Sequence, residues 1–143
     1  MSRIRVLFLS TGNACRSQMA EAWAKDMASD LIDVKSAGIE VQGLNKMAVA
    51  VMSEANIDMS GQIPARVNVE LLEWADMIVT LCDNVEEQCP VVSFETLKLH
   101  LPLSNPAKFK GNDEAILAAF KQTRDKIKLR VEYVLTQLPV PDC

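Results

Sequence analysis

The run Ser10-Thr11-Gly12-Asn13-Ala14-Cys15-Arg16-Ser17 has the make-up of an anion-binding loop. Small residues and a glycine allow several backbone N–H groups to converge on one point, and a helix starting behind them adds the positive end of its dipole. Arg16 supplies a planar, permanently charged fork that suits tetrahedral oxyanions. Phosphate-like tetrahedral oxyanions are the ligands of that chemistry. A second set of candidates is the thiols Cys15, Cys82, Cys89 and Cys143. In a reducing compartment these stay as thiols by default, and a disulfide among them is transient and chemical. A lone cysteine otherwise reads as a small buried hydrophobe. The only histidine, His100, lies outside the loop, and nothing pairs it with Ser10.

Positioning these groups takes a scaffold, and the 143 residues are one domain's worth. With 49% apolar and 24% charged residues and few glycines or prolines, the chain is globular rather than disordered or repetitive. A net charge of −4 argues against a general polyanion binder such as a nucleic-acid protein, but not against a local anion site. The longest apolar runs, Ile4 to Leu9 and Met77 to Cys82, are too short for a membrane span, and the amino terminus shows no secretory cleavage pattern. The expected location is the cytoplasm, with no membrane partner.

Residues 3–9 are β-branched and apolar and predict a first strand that breaks at Ser10. From Ser17 the spacing of Met19, Trp23 and Met27, with Ala20 and Ala24, predicts a helix with one apolar face. A second strand is expected from Leu31 to Ser36, and a second helix from an N-cap at Asn45 to Asn56. Residues 58–69 read as a surface loop, Leu71, Leu72 and Trp74 as a short helix, and Met77 to Leu81 as the central strand. Residues 83–88 are polar and stop at Pro90, and 91–99 make a weaker fourth strand. The segment from His100 to Gly111 reads as a loop, and the last helix runs from about Asp113 to Leu138. Alternating strands and helices predict a single α/β domain with a parallel sheet covered on both faces. In such sheets ligands bind beyond the carboxyl ends of the strands, where the loops after strands one and three open.

The stretch from Ser10 to Glu21 resembles the signature of the low-molecular-weight protein tyrosine phosphatase superfamily, and more closely that of the thioredoxin-coupled arsenate reductases built on the same fold. Thr80-Leu81-Cys82, Cys89-Pro90, the 100–107 loop and the last helix extend the resemblance over nearly the whole chain. It implies a four-stranded sheet in the order 2-1-3-4, an oxyanion held by residues 11–17, and a nucleophile at position 10. It also implies a sulfur relay. A thiolate at position 10 attacks arsenate, Cys82 attacks that sulfur and releases arsenite, and Cys89 then takes over Cys82. The resulting Cys82–Cys89 disulfide goes to thioredoxin, an external reductant, and no cofactor is bound.

Three positions depart from that pattern. Position 10 is Ser10, a hydroxyl that stays protonated and is a poor nucleophile without a base. Position 105, where phosphatases carry an aspartic general acid, is Asn105, which cannot protonate a leaving group. Both changes are nearly isosteric, as in a substrate trap. Some of these reductases bind potassium at positions matched by Asn13, Glu21 and Ser36, but the fourth position, usually acidic, is Ala65. The expected function is therefore an arsenate reductase scaffold that binds its oxyanion without turning it over. The alternatives are a tyrosine phosphatase or a non-catalytic oxyanion-binding protein of the same fold.

Overall fold

The computed structural model describes residues 3–81 and 96–139. Its elements in chain order are β1 (Ile4–Ser10), α1 (Arg16–Ala28), β2 (Ile32–Gly38), α2 (Lys46–Glu54), α3 (Val69–Trp74), β3 (Met77–Thr80), β4 (Leu97–His100) and α4 (Asp113–Thr136), with a single 3₁₀ turn at Pro106–Lys108. All strand pairings are parallel, and the order is β2-β1-β3-β4, as the resemblance implied. β1 is central, and its side chains alternate: Val6 and Phe8 face one core, Leu7 and Leu9 the other. The larger core lies under α1, α2 and α4 and includes Met19, Trp23, Met52, Ile127 and Val131. The smaller one holds Ala37 and Ile78 beneath Leu71, Leu72 and Trp74 of α3. Both faces are thus covered, so β1 and β3 can be almost continuously apolar.

Side chains fix the helix starts. Asn45 accepts from the Ala48 N–H at 3.0 Å, Asn68 from Leu71 at 2.8 Å and Asn112 from Ala115 at 2.8 Å, each satisfying a donor that the helix itself leaves unpaired. α1 is the exception, because its N-cap is Cys15 with no side-chain cap. Its first turn is left open toward the loop that precedes it.

Two expectations need correction. His100 ends β4 instead of starting a loop, and its Nδ1 pairs with Thr80 Oγ1 at 2.8 Å. The described part of the fourth strand spans only Leu97–His100, at the sheet edge, while residues 91–95 lie outside the described region. Residues 58–69 are not merely a surface loop either. Met59 is fully buried, and the segment continues into a parallel bridge between Arg66 and Gly38. No helix among the described residues is long and apolar enough to cross a membrane.

Gly38 ends β2 against the backbone of the anion loop. A Cβ there would stand 2.7 Å from both the Asn13 nitrogen and the Glu40 oxygen, and neither backbone atom can move aside without breaking the loop. Gly38→Ala is therefore expected to destabilise the protein by about 1–3 kcal/mol, the usual range for overpacking a tight site, as read from urea denaturation midpoints.

Candidate active site

The loop between β1 and α1 is held by a strap, residues 39–45, that runs beside it. The carbonyl of Ser10 accepts from Ile39 N at 3.3 Å, and those of Thr11, Gly12 and Ala14 accept from Glu40, Gln42 and Asn45 N, each at 3.0 Å. In a trans peptide the carbonyl and the following N–H point to opposite sides. Pulling these carbonyls to the strap therefore points the N–H groups of the following residues away from those four bonds. Asn13 makes the bend possible by adopting φ 50°, the left-handed conformation that asparagine tolerates better than most residues.

Inside the loop lies a cavity of about 90 Å³, lined by Ser10, Gly12, Ala14, Cys15 and Arg16, by Gln42, Gly43 and Asn45 of the strap, and by Asn105 and Ala107. Sequence reasoning reached six of these residues as site residues: Ser10, Gly12, Ala14, Cys15, Arg16 and Asn105. It read Asn45 only as a helix cap and missed Gln42 and Gly43, whose role rests on backbone position. Arg16 is buried, and its Nη1 donates to the carbonyls of Leu103 at 2.9 Å and Leu81 at 3.3 Å. Those two bonds fix the plane of the guanidinium. They also tie the loop to the ends of the segments that lead toward Cys82 and Asn105. Asn105 Oδ1 accepts from Ala107 N at 3.0 Å, capping the 3₁₀ turn beside the cavity.

Asn13 and Ser17 stand behind the cavity as supports, both with no exposed surface. Ser17 Oγ is 2.5 Å from Ser10 Oγ and accepts from Asn13 Nδ2 at 2.7 Å. The orientation of the Asn13 amide follows from its partners. Its Oδ1 faces the backbone N–H of Ala65 at 2.8 Å, which can only donate, and Gln18 Nε2 at 3.0 Å. Gln62 in turn donates to Gln18 Oε1 at 2.6 Å.

These donors also decide the potassium question. Asn13 Oδ1 already takes two N–H groups, Glu21 Oε1 accepts from Ser36 Oγ at 2.7 Å, and Glu21 Oε2 pairs with Lys25 Nζ at 2.5 Å. Asn13 Oδ1 and both Glu21 oxygens thus face donors, an ammonium neutralises the carboxylate and position 65 offers no acidic side chain, so the residues present do not fit a monovalent metal ion. Oxyanion affinity is expected to be the same in equimolar potassium, sodium and choline chloride; a dependence on potassium in calorimetric titration would contradict this arrangement.

Cys15, beside Arg16, lies 4% exposed in the larger core, and burial pushes its pKa to about 11 against the smaller opposing pull of the Arg16 charge and backbone N–H. At neutral pH it is an inert thiol. Because the folded state holds the proton more tightly than the unfolded one, this group's stabilising contribution is complete below the ordinary thiol range and is lost as pH rises toward about 11. Cys15→Ala should flatten the fall in stability over that window, as measured by denaturation at a series of pH values. Cys82, Cys89 and Cys143 lie outside the described residues, and Ser10 and His100 each have another partner.

A parallel sheet in this order with an arginine-closed anion loop after its central strand defines a class. The chain belongs to the low molecular weight phosphotyrosine protein phosphatase family, which it matches over residues 5–140. Within that family it is 43% identical over 132 residues to the arsenate reductase of Halalkalibacterium halodurans, covering 92% of this chain and 95% of that protein. Among solved structures, an arsenate reductase in the phosphate-binding state superposes with a TM-score of 0.73 at 28% identity, covering 95% of this chain and 99% of the other. A cysteine-to-serine mutant of the YwlE arginine phosphatase with a phosphorylated active-site serine superposes with a TM-score of 0.76 at 25% identity, covering 94% and 95%.

Proposed function

We propose that the protein is an oxyanion-binding member of the arsenate reductase branch, with arsenate, phosphate or sulfate held by the N–H groups of residues 11–16 and by Arg16. The observation that supports this reading is the strap, because it ties up four loop carbonyls beside a cavity that Gly12, Ala14, Cys15 and the buried Arg16 line. With Nη1 held by Leu81 and Leu103, the opposite edge of the guanidinium, Nε and Nη2, is the one that would grip two anion oxygens. Relatives of this chain include arsenate reductases, one of them solved in a phosphate-binding state, which supports the ligand class.

Ser10 holds the nucleophile position in this reading. It ends β1, lines the cavity and shares a hydrogen bond with the Ser17 hydroxyl, whereas Cys15 precedes α1 as a buried, protonated thiol. Reducing arsenate to arsenite takes two electrons from sulfur, and a hydroxyl oxygen does not supply them. As written, the chain binds arsenate without reducing it. The relay from Cys82 to Cys89 to thioredoxin remains part of the proposal, as does the cytoplasm, where such a relay is kept reduced. A phosphatase reading is weaker because Asn105 has no proton to give.

Titration calorimetry with arsenate, phosphate and sulfate tests the binding. Arg16→Ala should cost roughly 1.5–3 kcal/mol, or 10- to 150-fold in affinity, the range for hydrogen bonds to a charged group. Ser10→Cys, assayed with thioredoxin, thioredoxin reductase and NADPH, should gain arsenate reduction that the parent protein lacks. Equal affinity with and without Arg16, or turnover by the parent protein, contradicts the proposal.

A further inference from the structure

The sheet ends at β2 on one side, and most of that edge is bare. Only Gly38, its last residue, has an outer neighbour: its N–H reaches the Ala65 carbonyl at 2.9 Å, and its carbonyl accepts from Val67 N at 2.8 Å. Backbone groups alternate sides along a strand, so those of Ile32, Val34 and Ser36 point outward with Gly38, while those of Asp33 and Lys35 bond β1. Among the described residues no other segment pairs with the outward groups. A groove of about 390 Å³ runs along the edge, between Lys25 and Ser29 of α1 and Trp74 of α3, and is lined by Asp33, Val34 and Lys35. The edge is open to another chain.

Proteins usually blunt such an edge with proline, a bulge or charged side chains, lysine above all. β2 contains no proline, and its one lysine, Lys35, lies over the Trp74 ring at 4.6 Å and is matched two residues earlier by Asp33. We propose that this edge is the interface of a symmetric dimer, in which β2 pairs antiparallel with β2 of a second copy about a two-fold axis at Val34. The occupant is a second copy because the strand is complementary to itself, as an isologous interface requires.

The charges select that register. With the axis at Val34, Ile32 faces Ser36 of the second copy and Val34 faces Val34 of the second copy. These are the residues whose backbone groups point outward, so each pair can exchange both bonds. Asp33 then stands opposite Lys35 of the second copy, in the pairs between those bonds, where opposed side chains come closest. The neighbouring registers that keep the same backbone bonding put the axis at Asp33 or at Lys35, and each sets a like pair face to face, which is unfavourable. Other charges at the edge are already matched. Arg3 takes one Asp33 oxygen at 3.2 Å, and Lys25 pairs with Glu21 at 2.5 Å. The oxyanion cavity lies beyond the carboxyl end of β1, lined by Ser10 and Arg16, and contains no residue of β2.

Sedimentation equilibrium of the full chain, with a thiol reductant present and over a series of protein concentrations, tests the pairing. The expected result is a reversible rise from the 15.8 kDa monomer toward twice that mass. Asp33→Lys alone and Lys35→Asp alone should each stay monomeric, because each sets like charges opposite one another. An equimolar mixture of the two single variants should form a heterodimer, and the variant carrying both changes should dimerise by itself, since both arrangements restore opposite pairs. Circular dichroism checks that each variant is folded. Hydrogen exchange on the parent protein gives a second reading that needs no substitution. The amides of Ile32, Val34 and Ser36 should gain protection as concentration rises, while those of Asp33 and Lys35 are protected throughout. A parent protein that is monomeric at every concentration would overturn the proposal. So would folded single variants that still dimerise, a mixture and a double variant that both stay monomeric, or a dimer in which the Ile32, Val34 and Ser36 amides exchange as freely as in the monomer.

Discussion

The direction in which the carbonyls of residues 10, 11, 12 and 14 point is the constraint on which the rest of the site depends. An anion loop in water would satisfy those carbonyls with solvent and leave its N–H groups free to point anywhere. Here four backbone bonds from residues 39–45 hold the carbonyls on one side, so the peptide dipoles are already aligned before a ligand arrives. Such preorganisation is worth more than the hydrogen bonds themselves, because no reorientation is needed when charge enters the cavity. The side chain at position 10 plays no part in those bonds.

Several otherwise unremarkable residues follow from that constraint. Gly38 is needed where β2 turns into the strap, since any side chain would strike the loop backbone. The 62–67 segment supplies Gln62 and the Ala65 N–H, which hold Gln18 and Asn13 and so keep Asn13 in its left-handed conformation. Arg16, through the carbonyls of Leu81 and Leu103, ties the loop to the residue after β3 and to the segment after β4 that carries Asn105.

What could be read from the sequence was what side chains encode. The alternation in β1, the asparagine caps, the small-residue loop and Arg16 all carry their physics in residue type, and the sheet order followed from the resemblance those residues support. The strap was missed because it works through backbone N–H groups, which every residue but proline possesses. Residues 58–69 looked like a surface loop because glycine, proline and polar side chains dominate there, although Met59 is buried and the chain returns to pair with Gly38. Burial of Cys15 matches the reading of a lone cysteine as a small buried hydrophobe, and there desolvation outweighs the pull of the neighbouring arginine.

Adding inorganic phosphate to isotope-labelled protein and following the backbone amide resonances tests the account most directly. It predicts large shifts for the N–H groups of residues 11, 12, 13 and 15 and for the Arg16 side chain, while the amides of residues 39, 40, 42 and 45 stay protected from hydrogen exchange throughout. Shifts confined to other parts of the surface, or strap amides that exchange freely before phosphate is added, would contradict it.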